Sequence, residues 1–389
     1  MSTEQKITIF LSQMYGGGTE RIALNLHENL PKEYNTSLLT LYNTNNEYYN
    51  ITSPYLIKFR RNQFSRILLY PLATVRFICH CIHEKTNIVI SMDDSTNLIN
   101  LLSQAIGKKA IICFHVIPLL NPNIISWLNR KLLSFLIRIT NPSVVVLHNR
   151  MKKEVCEAYH ISNTDNVHVI HNPNQLSEIQ KKSLEPSRLS WLNQQEIPTI
   201  ITVGRLADVK AQWHLIRIFS KLHETMSCRL LVCGHGPEEE YLQSLSHELK
   251  VDEDIIFLGW QKNPHKFMAR STVFALTSIS EALPNVLVES MAVGCPVVAA
   301  NCSPGIEEIM GSDNTCGIIS EKMSGTRYAP DEPLDEGEMD FLNNLKIILE
   351  DAKLRNRMSC KAKERAKLFD VDIGIQKYVE LIENCVTWT

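Results

Sequence analysis

The chain has 389 residues, more than one compact core usually accommodates, so two domains are expected. Its composition is globular, 44% hydrophobic and 21% charged, and a formal net charge of −2 gives no general attraction for nucleic acid. Eleven cysteines without a Cys-x-x-Cys pair read as reduced cytosolic thiols, which argues against a disulfide or zinc framework.

The N-terminus, MSTEQKITIF, has no basic and apolar leader pattern, and no run of about 18 apolar residues occurs, so neither a signal peptide nor a transmembrane helix is expected. Charge is unevenly spread. Residues 1–170 carry 17 Lys+Arg against 11 Asp+Glu, a net of +6, so the remainder carries −8.

In chain order, KITIFL (6–11) reads as a buried parallel strand. It leads into Gly16, Gly17 and Gly18, with Thr19 as the expected N-cap of a helix. Glycines before a helix N-terminus suit an anion, although a plain strand-to-helix turn would look similar. The spacing is not G-x-G-x-x-G, so a nicotinamide oxidoreductase is poorly supported. The segments 57–82 and 127–142 mix Leu, Ile and Phe with Arg60, Arg61, Arg66, Arg76, Arg130, Lys131 and Arg138. That pattern suits an amphipathic helix on an anionic membrane surface, and equally an ordinary packed helix with a solvated face.

Strands NIVIS (87–91), AIICF (110–114) and SVVVL (143–147) alternate with helical patterns. The polar stretch 171–198, with its prolines, is the expected linker. The alternation then restarts with TIITVG (199–204), RLLVCG (229–234), IIFLG (255–259), TVFAL (272–276) and PVVAA (296–300). The expected fold class is α/β: two Rossmann-like, doubly wound domains facing a central cleft, with ligands outside the carboxyl ends of the strands. The expected bounds are 1–175 and 190–370, with 371–389 as a helix packing back on the N-terminal domain.

Three motifs stand at strand ends in the second half. Gly204 is followed by Arg205 and Lys210, a planar fork and a point charge that together suit a diphosphate. Gly234, Gly236 and Pro237 permit close approach of backbone to ligand. Solvated loop charges and a tight turn remain the plain alternatives. The third motif is SISEALPNVLVES (278–290). Pro284 is expected at the first position of a helix that Asn285 to Ala292 continue, stopped by Gly294. Amides near Leu283, Asn285 and Val286 could carry a diphosphate, with sugar hydroxyls donating to Glu281 and ribose hydroxyls to Glu289.

The succession G-R-L-x-x-x-K, G-x-G-P and S-x-x-E-x-x-P-N-x-x-x-E-x-x-x-x-G-x-P-V-V resembles the family 4 retaining glycosyltransferases of GT-B fold. The resemblance is strongest over about 199–310. It implies a metal-independent sugar transfer without a cofactor, in which Arg205 and Lys210 neutralise the leaving nucleoside diphosphate. It also implies that Glu281 binds the donor sugar and Glu289 the ribose, that Gly259 and Trp260 flank the nucleobase, and that His115 lies near the donor sugar. Two departures are Ala282, where glycine is usual, and Ala211, where glycine or asparagine is common.

The implied partners are a nucleotide sugar, UDP-linked by family habit, and a lipid-linked or saccharide acceptor in surface polysaccharide synthesis. The enzyme would be cytoplasmic, with the inner face of the membrane as a candidate docking surface. A nucleotide-sugar 2-epimerase of the same fold and a non-catalytic nucleotide-sugar binder are the competing readings. The acid triplets Asp252-Glu253-Asp254 and Asp370-Val371-Asp372 are expected to be solvated charge, not metal ligands.

Overall fold

A computed structural model describes residues 5–14, 17–43, 53–58, 69–116, 124–194 and 197–387, with the side chains of 124–127 and 387 excluded. Two compact units result: Met1–Pro173 with Val371–Thr389, and Asn174–Asp370.

Unit 1 is built on a seven-stranded parallel sheet. Its strands are β1 (Gln5–Leu11), β2 (Tyr34–Tyr42), β3 (Tyr55–Ile57), β4 (Ile88–Ser91), β5 (Lys109–Cys113), β6 (Ser143–Val146) and β7 (Val167–Val169), ordered β3-β2-β1-β4-β5-β6-β7. Ile7, Ile9, Ile88, Ile90, Ile111 and Val145 are at most 1% exposed, as strands covered on both faces require. Helix Gly18–Asn29 lies on one face beside helix Val371–Thr387, whose Val371, Ile375, Tyr378, Leu381 and Ile382 complete the same core. The chain thus leaves this unit after Pro173 and returns to it at Val371.

Helices Tyr70–His83, Asp94–Ser103 and Ile124–Thr140 pack side by side. Their outer surface exposes Leu72, Val75, Ile82, Leu102, Leu128, Leu132, Phe135 and Ile139. On the last helix Leu133, Leu136 and Ile137 face inward, so Leu128, Leu132, Phe135 and Ile139 form a second apolar stripe at helical spacing. Of the basic residues read from the sequence, Arg60, Arg61 and Arg66 lie outside the described residues, as does the side chain of Trp127. Arg76 is described and donates from Nη1 to the Leu56 carbonyl at 2.7 Å.

Unit 2 carries six parallel strands: β8 (Thr199–Val203), β9 (Arg229–Cys233), β10 (Ile255–Gly259), β11 (Val273–Leu276), β12 (Val297–Ala300) and β13 (Gly317–Ser320). Their order is β10-β9-β8-β11-β12-β13. In both sheets the winding direction reverses between the first and fourth strand, β1 beside β4 and β8 beside β11. Loops diverge there, and that crevice is where such sheets hold ligands.

The stretch 171–198 is not a simple linker. Helices Leu176–Ser183 and Ser190–Gln194 form within it and belong to unit 2. Leu176, Ile179 and Leu192 are buried, which gives otherwise polar sequence its anchor.

Candidate active site

The carboxyl ends of β8 and β9 are laced together. The Gly204 amide donates to the Cys233 carbonyl at 3.0 Å, and the Leu206 amide donates to the His235 carbonyl at 3.2 Å. The Glu238 amide returns to the Leu206 carbonyl at 3.1 Å. A side chain at Gly234 would overlap the Gly204 carbonyl, and Gly234 has φ 151°, a backbone state L-residues avoid. Overpacking and backbone strain act together there, so Gly234→Ala is expected to cost roughly 2–6 kcal/mol. Calorimetric unfolding checks this, and an unchanged Tm would show that the two turns can separate freely.

Between these turns and β11 stands the carboxylate–amine pair foreseen only as two separate charges. Lys210 ends a single 3-10 turn, Asp208–Lys210, and Ala211 follows in the left-handed conformation at φ 47°. The turn aims the Lys210 ammonium at Glu281 Oε1, 2.5 Å away. Ser278 Oγ donates to the same oxygen at 2.8 Å. Both partners are partly buried, 23% and 12% exposed, so the pair is shielded but not sealed from water. Thr277 Oγ1 donates to the Ala211 carbonyl at 3.2 Å, and the Ile279 amide to the Val209 carbonyl at 3.0 Å. These two bonds set the distance between the loops. Arg205 is exposed and makes no ion pair among the described residues, while its carbonyl accepts from Gln212 Nε2 at 3.1 Å.

Helix Asn285–Ala292 follows, with Pro284 as its N-cap, so the helix starts one residue later than expected. Gly294 takes φ 80° just past its end. Val286 stands in its first turn, and Glu289 reaches His265 Nε2 at 3.2 Å. Trp260 follows β10 directly and is 46% exposed. Burial, followed by the charge of Glu289, pushes the Cys233 thiol up to about 12.

In unit 1, Gly17 caps the helix that starts at Gly18, so the helix begins earlier than a Thr19 cap would allow; Gly16 lies outside the described residues. Asp93 caps the helix after β4, and its carboxylate accepts from the Ser12 amide at 2.8 Å and hydroxyl at 2.6 Å. This ties the end of β1 to the N-terminus of the helix after β4. His115 stands just past β5, with both ring nitrogens buried and unpartnered among the described residues. Burial lowers its pKa to about 4, so the ring is neutral at neutral pH.

These positions fit a known pattern. Residues 185–365 match the family described as Glycosyl transferases group 1. That segment, a little under half of the chain, is similar to the group 1 glycosyl transferases. The chain is 28% identical over 381 residues to the N-acetylgalactosamine-N,N'-diacetylbacillosaminyl-diphospho-undecaprenol 4-alpha-N-acetylgalactosaminyltransferase of Campylobacter jejuni, covering 94% of this chain and 96% of that protein. An uncharacterised glycosyltransferase of Methanocaldococcus jannaschii is 28% identical over 260 residues, a match spanning 62% of this chain and 64% of that relative. Among solved structures, Anabaena HepE in complex with UDP superposes with a TM-score of 0.76 at 18% identity, covering 98% of this chain and 100% of that one. The fold is therefore GT-B, two Rossmann-like units as the motifs implied.

Some of the residues that hold the candidate site in shape carry no sequence signature. Arg327 Nη2 bridges Asp208 at 2.8 Å and Glu238 at 2.7 Å, joining the two laced turns from outside. Its guanidinium lies 4.6 Å from the Trp213 ring centroid and 4.7 Å from that of Tyr241. The segment around it shows no periodicity, so nothing marks this arginine before folding.

His214, Asp335 and Glu338 form an acid–imidazole cluster close enough to consider for a metal. Arg217 already engages both Glu338 oxygens, at 2.9 and 3.3 Å, and Asp335 caps its helix through the Glu338 amide. The cluster anchors residues 329–338 to helix Gln212–His223.

Proposed function

We propose that the protein is a retaining glycosyltransferase that moves a hexose or N-acetylhexosamine from a UDP-linked donor to a lipid-linked or saccharide acceptor in surface polysaccharide synthesis. The observation that carries this reading is the Lys210–Glu281 pair at the β8/β11 crevice, with Arg205 exposed just past the end of β8 and Glu289 in the helix after Glu281. Support for the donor comes from HepE, solved with UDP. Support for the acceptor comes from the Campylobacter relative, whose name gives a diphospho-undecaprenol-linked saccharide.

Breaking the bond between C1 and the diphosphate oxygen leaves positive charge on the sugar and negative charge on the phosphate. Arg205 and Lys210 neutralise the departing oxygens, the dominant electrostatic need of the step. Glu281 accepts from sugar hydroxyls and holds the ring in place. The acceptor oxygen bonds to C1 on the face the diphosphate leaves, and its proton passes to the departing phosphate oxygen. Glu289 accepts from the ribose. Trp260 offers a face to the base.

Incubation with a panel of nucleotide sugars tests the reading. Nucleoside diphosphate release that grows with a polyprenyl-diphosphate saccharide acceptor, and a product with the donor's anomeric configuration by NMR, are expected. Donor inverted at C2 without transfer would instead establish the epimerase.

Metal independence is part of the proposal. Asp252–Asp254 form a 3-10 turn before β10, and Asp254 pairs with His223 at 2.9 Å. Asp370 forms a backbone bridge with Asn174. Both triplets stand away from the strand ends that carry the motifs. EDTA should leave the rate unchanged. Loss of activity reversed by manganese would overturn the metal-free step.

The finer localisation is to the cytoplasmic face of an anionic membrane. Among the described residues no helix is long and apolar enough to cross a membrane. The outer surface of the three packed helices, with exposed Lys131 and Arg138 on its third helix, suits peripheral docking instead.

A further inference from the structure

We infer that His265 is a positioning residue for the donor's ribose, acting through the Glu289 carboxylate. The inference rests on the proposed reading of Glu289 as the ribose-holding group. His265 is the first residue of the short helix His265–Met268, 3% exposed, with Phe267 and Met268 buried beside it. Its Nε2 lies 3.2 Å from Glu289 Oε2. An ionised carboxylate only accepts, so the shared proton belongs to Nε2. The other ring nitrogen, Nδ1, is buried without a hydrogen-bond partner among the described residues. The ring is therefore bonded along one edge, and that edge meets Glu289.

Two consequences follow from this arrangement. A glutamate in the second turn of a helix has three rotatable bonds, and a buried donor on a second element removes most of that freedom. His265 also reaches Glu289 from the segment that begins at Trp260, so the loop expected beside the nucleobase and the carboxylate expected at the ribose are joined by one hydrogen bond. A vicinal ribose diol donates well to one carboxylate only when the carboxylate plane is fixed. Losing that fixation should weaken ribonucleotide binding about tenfold, the scale of one charge-assisted hydrogen bond. A ligand without the 2′-hydroxyl has less to lose.

Calorimetric titration of the full chain with uridine diphosphate and with 2′-deoxyuridine diphosphate tests this, using wild type, Glu289→Gln, His265→Ala and His265→Gln. Wild type should prefer the ribonucleotide by about tenfold or more. His265→Ala should lose that preference, weakening the ribonucleotide and leaving the deoxyribonucleotide nearly unchanged. In turnover, donor KM should rise while kcat holds. His265→Gln, whose amide can still donate, should recover part of the preference. Equal weakening of both ligands, or of neither, in the two His265 variants would overturn the inference. If wild type shows no preference, or Glu289→Gln keeps it, the ribose reading of Glu289 itself fails and the inference goes with it. If Glu289→Gln abolishes the preference while both His265 variants keep it, the ribose reading stands and His265 alone is dismissed.

Discussion

Lys210→Ala is expected to lower kcat by 10²–10³-fold, about 3–4 kcal/mol of lost transition-state stabilisation, with a much smaller change in donor KM. The ammonium stands where β8 and β11 part, 2.5 Å from Glu281. In the ground state it balances that carboxylate. In the proposed transfer, new negative charge appears beside it as the sugar–phosphate bond breaks, and a cation already held by a fixed turn needs no reorganisation to respond. Its value therefore lies in the transition state, which makes kcat the sensitive parameter. Truncation also leaves Glu281, 12% exposed, without its ammonium partner while the Ser278 hydroxyl still donates to it, so the thermal midpoint is to be measured alongside. Arg205→Ala is the companion test, because Arg205 is exposed and its loss should leave the fold alone. Single-turnover rates within threefold of wild type in both variants would remove these cations from the chemistry.

Strands buried on both faces were legible before folding. Ile7, Ile9, Val89, Ile111, Val145, Leu230 and Val298 are all at most 1% exposed, and unbroken apolar runs follow directly from that burial. Strands that escaped the reading have physical reasons for doing so. β3 and β7 are three residues long, too short to show a period. β2 carries Asn35, Thr36 and Ser37 in its first half, where Ser37 Oγ lies 3.3 Å from Thr8 Oγ1 on the neighbouring strand. β13 begins with Gly317.

At the site, charge and glycine spacing named Arg205, Lys210, Glu281 and Glu289, because those residue types in those turns are few. Pairing was not legible. That Lys210 meets Glu281, His265 meets Glu289 and Arg327 meets Asp208 depends on which strand ends the sheet order brings together, and no local pattern encodes contacts 71, 24 and 119 residues apart. Arg217 is the extreme case. It is 2% exposed in the core of unit 2, where an arginine on a helix would ordinarily be read as solvated. Glu338 and three backbone carbonyls of a distant segment account for its burial.

The Lys131→Glu, Arg138→Glu double variant is expected to reduce partition onto anionic vesicles by about 10³-fold. Each unit of charge near such a surface is worth ~1 kcal/mol, and reversing two cations changes four units. Both side chains are exposed on helix Ile124–Thr140, alongside the stripe of Leu128, Leu132, Phe135 and Ile139. The stripe supplies the part of binding that salt cannot screen, whereas the charge attraction decays over ~8–10 Å at physiological ionic strength. Phe135→Ser should therefore weaken binding most at high salt, and the charge reversal most at low salt. This crossed dependence separates a membrane from a protein partner, because a neutral phosphatidylcholine vesicle should bind wild type weakly and ignore the charge reversal. Neither change lies near the Lys210–Glu281 pair in the chain, so transfer to a short soluble acceptor should persist in both variants. Co-sedimentation across a salt series is the measurement. Wild type that stays in the supernatant with anionic vesicles at low salt, or a double variant that pellets equally, would return this surface to ordinary solvated packing.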